Sequence, residues 1–174
     1  MNVVHSFEPI VDEHAHTLIL GSMPGVASLA AQQYYAHPRN AFWPIMGALF
    51  GAGPELPYEA RTERLARSGI AVWDVLKLCT RTGSLDSAIV ESSIVANDVA
   101  NLIAGHPGID TVLFNGAKAA DSYRRYVANA VQQDVEWCIR LPSTSPAHAS
   151  LTLEAKTRLW SAALRRERVS GSGE

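Results

Sequence analysis

The sequence predicts an α/β fold, a single three-layer α/β/α domain with a central four-stranded parallel sheet. Three observations lead there. Four short apolar runs of strand length recur along the chain, at 17–20, 70–76, 111–114 and 135–141. Segments of helix length lie between and after them, and strands alternating with helices pair in parallel through crossover connections. Each run also stops at polar or turn-forming sequence, which in an open parallel sheet lines the ligand-binding edge.

The run at 17–20 ends at G-S-M-P-G, residues 21–25, and reads as a buried strand feeding a tight turn. A helix is predicted over 41–50. Pro44 falls in its first turn, where the missing N–H does little harm. A second helix, 59–67, precedes the strand at 70–76. The stripe of Val95, Val99, Leu102 and Ile103 predicts a helix over 94–104, and another is expected over 117–131. The last helix is expected over 151–168, with Ser150 as its candidate cap. Residues 1–169 are read as one domain and 170–174, rich in Gly and Ser, as a flexible C-terminal tail.

At 174 residues one domain can bury a substantial core, and 47% hydrophobic against 18% charged residues excludes a disordered chain. Cys79 and Cys138 stand far apart with no C-x-x-C pair, which argues against a disulfide scaffold, a zinc site or a four-cysteine cluster. The six His have no metal-binding spacing, so no metal is expected. The first sixteen residues contain Glu8, Asp12 and Glu13 and no unbroken apolar segment, so neither a signal peptide nor a membrane span is expected, and the location is read as cytoplasmic. A net charge of -2 gives no global footprint for nucleic acid, so any DNA contact must be local. Lys156, Arg158, Arg165, Arg166 and Arg168 form the candidate patch, or simply a solvated helix face.

The chemistry concentrates in the loops. Gly21, Ser22, Met23 and Pro24 could bring backbone N–H groups close to a ligand, although a plain strand-to-helix turn explains them equally. Y-Y-A-H-P-R-N-A-F-W at 34–43 gathers aromatics, an amide and an Arg. Tyr35 could stack on a base, Asn40 could hydrogen-bond it, and Arg39 could pair with phosphate. Phe42 and Trp43 read as core, and Asn40 could also be a helix cap. P-S-T-S-P-A-H at 142–148 offers the hydroxyls of Ser143 and Ser145 and a proline-braced tip, Pro146, Ala147 and His148, able to enter a base stack. An ordinary loop before the last helix is the bland alternative, with His148 a surface residue. Asn115 and Lys118 belong to N-G-A-K after the third strand. Asp74 and Asp86 are the nearest carboxylates, Asp74 serving as a loop brace or a base contact. There is no G-x-S-x-G elbow and no cysteine nucleophile motif.

Together, G-S-M-P-G, Y-Y-A-H-P-R-N-A-F-W, W-D-V-L-K-L-C-T-R-T-G-S-L-D, F-N-G-A-K-A and L-P-S-T-S-P-A-H resemble the ordered motifs of DNA-deoxyinosine (hypoxanthine-DNA) glycosylases, the sixth family of the uracil-DNA glycosylase superfamily. The resemblance spans 17–164. It implies a uracil-DNA glycosylase-like fold and a monofunctional enzyme acting on DNA that contains a deaminated base, with hypoxanthine foremost. It implies Asn40 as the catalytic residue. Tyr35 would stack on the extruded base, Gly21, Ser22, Met23 and Pro24 would floor the base pocket, and Ser145, Pro146, Ala147 and His148 would form the DNA-penetrating loop. Asp74, Asn115 and Ser143 join the base-contacting candidates, while Arg39 and Lys118 join the DNA-contacting ones. Residues 35–43 also resemble the F-A-H-P-x-N-R-F-W stretch of mismatch-specific uracil-DNA glycosylases. Those enzymes have a catalytic Asn where Met23 stands, which argues against uracil as the main substrate. No cofactor and a monomer are expected. Two readings stay open beside this one: a uracil or mismatch glycosylase of the same fold, and a non-catalytic module that binds nucleotides or damaged DNA.

Overall fold

Strand β2 (Thr17–Gly21) is buried at every position, as is the strand Thr111–Asn115, and such uninterrupted burial belongs to the centre of a parallel sheet covered on both faces. The computed structural model describes residues 2–165. Seven strands are present among them: β1 (Val3–His5), β2, β3 (Ile70–Asp74), β4 (Leu76–Thr80), β5 (Val90–Ala96), β6 (Thr111–Asn115) and β7 (Trp137–Leu141). The α-helices are α1 (Val26–Ala31), α2 (Phe42–Phe50), α3 (Tyr58–Arg67), α4 (Val99–Gly105), α5 (Ala117–Tyr126) and α6 (Leu153–Leu164).

The main sheet is parallel, in the order β3-β2-β6-β7. Its strands alternate between two cores, as the two-residue period of a strand requires. Leu18 and Leu20 of β2, with Val112 and Phe114 of β6, face a cluster completed by Val99 and Ile103 of α4 and Ala119 and Tyr123 of α5. Ile19, Val72 and Leu113 point the other way, against Phe42 and Ile45 of α2, Leu65 of α3 and Trp160 of α6. The predicted three layers are therefore present.

A second sheet was not anticipated. Strands β1, β4 and β5 pair antiparallel in the order β1-β4-β5, and Leu76 and Cys79 of β4 join the first core. The run predicted over 70–76 in fact divides at Val75, β3 ending at Asp74 and β4 beginning at Leu76. The helix expected over 94–104 is strand as far as Ala96. Asp98 then caps a shorter helix, its carboxylate accepting the Asn101 N–H at 3.1 Å. The helix over 117–131 stops at Tyr126 and is followed by a 3-10 turn, Ala128–Ala130. Thr152, not Ser150, caps α6 by accepting the Ala155 N–H. Arg166, Arg168 and residues 170–174 lie outside the described residues. No helix among the described residues is long and apolar enough to cross a membrane.

This order creates one crevice. The chain leaves β2 towards the α2–α3 side and leaves β6 towards the α4–α5 side, so the loops after these neighbouring strands diverge. Such a switch point is where open α/β sheets bind ligands.

Candidate active site

The carboxyl ends of β2, β3 and β6, together with the loop after β7, surround a cavity of about 730 Å3. Every loop candidate for catalysis or for base or DNA contact lines it except Arg39, whose exposed side chain lies outside; Lys156, Arg158 and Arg165 of the basic patch do not line it.

The floor comes from residues 21–25, and it is stitched to the 81–86 loop. The Ser22 hydroxyl donates to Asp86 at 2.6 Å, and the Val26 N–H donates to the Ser84 hydroxyl at 2.8 Å. The Arg81 guanidinium, 1% exposed, donates from Nη2 to the Pro24 carbonyl at 2.6 Å and from Nε to the Gly83 carbonyl at 2.8 Å. Arg81 carries no role legible in the sequence, and Asp86 reads there only as a nearby carboxylate. Neither has a local signature, because the partners that tie them to the floor, Pro24 and Ser22, lie 57 and 64 residues away in the chain.

Gly21 faces Asp74 and Tyr35 so closely that a Cβ there would strike the Asp74 carboxylate and come within 2.9 Å of the Tyr35 hydroxyl. Gly21→Ala is therefore expected to lower stability by about 1–3 kcal/mol in urea melts. A melt indistinguishable from that of the parent would mean that this cluster can give way. Burial pushes the Asp74 carboxyl up to about 7, with repulsion from Asp86 adding to the rise and Arg81 opposing it.

Tyr35 sits at φ 54, a left-handed conformation unusual for a large side chain. Its neighbours fix it there: the Tyr34 hydroxyl donates to the Glu8 carbonyl, Trp43 Nε1 donates to the Tyr34 carbonyl, and the Ala36 N–H donates to Ser28. One face of the Tyr35 ring stacks on Phe42 with centroids 4.1 Å apart. Burial first, and the charge of Asp74 second, raise its phenol pKa well above the ordinary value, while the neighbouring Asn115 side chain offsets only part of that rise.

Asn40 lies just before α2, and its Oδ1 accepts the Phe42 N–H at 2.9 Å. A backbone N–H can only donate, so this bond fixes which amide atom faces the helix and leaves Nδ2 as the outward donor. The N-cap of α2 is Ala41, so Asn40 does not cap the helix; its bond to Phe42 closes a turn just before it and orients the side chain. The adjacent Ala41 N–H donates to the Thr144 carbonyl at 3.0 Å, tying Asn40 to the loop after β7.

That loop is braced throughout. Asn115 engages Thr144 twice, Nδ2 donating to its hydroxyl and Oδ1 accepting its N–H, both at 2.9 Å. Ser143 accepts the Ser145 N–H, and Ser145 accepts the Ala147 N–H. From below, Trp160 Nε1 donates to the Pro142 carbonyl and Lys156 Nζ to the Ser145 carbonyl. Lys156 is consequently buried at 5% exposure, with its pKa lowered by that burial, and does not belong to the surface patch anticipated for it. Arg158 and Arg165 are exposed. Lys118 lines the cavity but is paired with Glu91 at 2.5 Å, and Glu91 also holds Arg125 at 3.3 Å and the Tyr126 hydroxyl. Asp12, Glu13 and His14 could bring one ligand atom each to a cation, but they are not part of the cavity wall.

The wall contains no covalent nucleophile motif. What it offers is a stacked aromatic, an oriented amide donor, buried carboxyl and phenol groups, and two rigid loops. This arrangement can enclose and polarise a planar heterocycle.

Comparison with known proteins agrees with the resemblance. The profile of the uracil DNA glycosylase superfamily matches residues 8–165. A hypoxanthine DNA glycosylase from Methanosarcina barkeri is 40% identical over 116 residues, 66% of this chain and 72% of that one. Another of that name, from Methanosarcina acetivorans, is 37% identical over 120 residues, 68% of this chain and 75% of that one. The solution NMR structure of a candidate uracil DNA glycosylase from Methanosarcina acetivorans superposes with a TM-score of 0.77 at 32% identity, covering 95% of this chain and 98% of that one. The chain therefore belongs to the uracil DNA glycosylase superfamily.

Proposed function

We propose that this protein is a monofunctional DNA glycosylase that flips a deaminated base, foremost hypoxanthine, out of DNA and hydrolyses its N-glycosidic bond. The observation that carries this reading is the oriented Asn40 amide beside Tyr35 in a cavity at the sheet's switch point, in a chain of this superfamily with relatives named hypoxanthine DNA glycosylase. Residues 1–169 act as the catalytic domain.

Cleavage of an N-glycosidic bond builds positive charge on the sugar and negative charge on the departing base. Much of the barrier can therefore be lowered by fixed donors and by orientation, with no covalent intermediate. Tyr35, its ring packed on Phe42, forms one wall of the pocket that receives the extruded base. Asn40 Nδ2 donates to the leaving base or holds the attacking water, its direction set by the bond from the Phe42 N–H to Oδ1. Pro146 and Ala147 form the tip that enters the stack. The bonds from Asn115, Lys156 and Trp160 keep the segment rigid, so little conformational entropy is lost when it inserts. Lys118 approaches phosphate only by exchanging its partner Glu91.

The test is a panel of duplexes, each with one hypoxanthine, uracil or xanthine. Hypoxanthine is expected to be released fastest, with an abasic strand as product. A protein that retards the lesion duplexes in a gel yet releases no base is a binding module, and one that releases uracil fastest has a different substrate.

A further inference from the structure

We propose that the Tyr35 hydroxyl and the Asp74 carboxyl form a donor–acceptor pair that reads the lactam edge of the extruded base. The phenol donates to the ring carbonyl oxygen and the carboxylate accepts the adjoining ring N–H. The inference rests on the base-release reading above and deepens it, from a cavity that holds a base to the two atoms that recognise it.

The hydrogen-bond inventory of the cavity singles this pair out. Among the described residues, four buried side-chain polar atoms have no hydrogen-bond partner: Tyr35 OH, Asp74 Oδ2, Arg81 Nη1 and Ser122 Oγ. Of these four, Tyr35 and Asp74 belong to the cavity wall; the Asn115 side chain acts on the phenol oxygen only as a donor, which leaves the Tyr35 hydroxyl hydrogen without an acceptor. Several other polar groups there are engaged within the protein: Ser22 with Asp86, Asn115 with Thr144, Ser143 with Ser145, and Asn40 through Oδ1 with Phe42, which leaves its Nδ2 for the chemistry. A buried polar atom left unpaired is costly and uncommon in a folded protein, and a ligand that pairs it relieves that cost.

The two groups also converge. Both crowd the same face of Gly21, where the missing side chain leaves them room. Tyr35 is held in its left-handed backbone conformation by bonds on either side, so its hydroxyl has a fixed position. Asp74, 3% exposed, ends β3 in register with Gly21, and its backbone carbonyl accepts Asn97 Nδ2 at 2.8 Å. Burial keeps the phenol protonated as a donor. The Arg81 charge opposes the desolvation of Asp74 and keeps its ionised, accepting form accessible near neutral pH. A donor beside an acceptor complements –NH–C(=O)– in a ring, the edge that deamination creates when an exocyclic amine becomes a carbonyl.

The experiment compares binding to two duplexes that carry a 2′-fluorinated nucleotide, which resists cleavage because the substituent disfavours positive charge on the sugar. One bears hypoxanthine and the other unsubstituted purine, which has the same ring shape without the carbonyl oxygen or the N1 hydrogen. The parent protein is expected to prefer hypoxanthine by about tenfold or more, and Tyr35→Phe and Asp74→Asn each to collapse that preference to about twofold, with purine-duplex affinity unchanged. Tyr35→Phe retains the ring stacked on Phe42, so it carries the test if Asp74→Asn fails to fold. A preference that survives in the folded variants, an equal loss on both duplexes, or no preference in the parent overturns the pair. If the parent still releases hypoxanthine from a cleavable duplex, only the pair has failed. If it releases none, the underlying reading falls too.

Discussion

Asn40→Ala is expected to cut single-turnover release of hypoxanthine by roughly 100-fold or more in fully folded protein. The substitution removes two things at once, the Nδ2 donor in the cavity and the acceptor for the Phe42 N–H at the start of α2. Losing the second, one side-chain hydrogen bond to a backbone N–H, costs about 1 kcal/mol of stability and affects rate only through the folded fraction. Losing the first acts on the transition state. Asn40→Asp separates them, because a carboxylate still accepts the Phe42 N–H but has no amide hydrogens to donate. The Asp variant is expected to melt close to the parent while releasing hypoxanthine poorly. Near-parental release by Asn40→Ala in the same assay would remove Asn40 from the chemistry and leave it a turn residue before α2.

Asp74→Asn is expected to raise stability at neutral and alkaline pH while impairing recognition of the base. The folded protein holds the Asp74 proton up to about pH 7, against an ordinary value of 3.8. Between those values the unfolded chain has already released a proton that the folded chain retains. The folded state thus binds more protons there, and stability falls as pH rises from about 4 to about 7, levelling above. Asn has the same shape and no such titration. The gain in unfolding free energy over the parent should be small near pH 4 and reach on the order of 1–4 kcal/mol above pH 7. Chemical denaturation at several pH values measures it, and a gap that does not widen with pH would contradict the strained ionisation of Asp74. A residue that destabilises the fold and is nonetheless present in the cavity is what a site under functional constraint looks like.

The parallel sheet was legible because β2 and β6 are buried on both faces and therefore read as unbroken apolar runs. The small antiparallel sheet was not. In β5 exposed positions such as Val90 and Val95 are apolar while half-buried ones include Glu91 and Ser93, so the two-residue alternation of a strand is blurred. Val95 then happened to fall in step with Val99, Leu102 and Ile103 of α4. The break at Val75 was hidden for a related reason, since Ile70 through Leu76 is one continuous apolar segment apart from Asp74. The site was more legible than the fold around it. Its residues sit in loops at strand ends, and the alternation of strands and helices puts those loops at one edge. What the sequence could not reveal was which polar groups were already engaged. Asn115 and Lys118 looked as free as Asn40, yet Asn115 is committed to Thr144 and Lys118 to Glu91. Arg81 and Lys156, ordinary surface residues by type, are buried where distant loops supply carbonyls to receive them.

Base release is read directly by incubating purified protein, in excess, with a duplex containing one deoxyinosine, and measuring free base by chromatography and strand breakage after alkali. Free hypoxanthine in stoichiometric amount and an alkali-labile abasic site at the lesion are expected, with no strand breakage before alkali treatment. An intact deoxyinosine strand, recovered from a complex that forms and dissociates unchanged, would contradict base release.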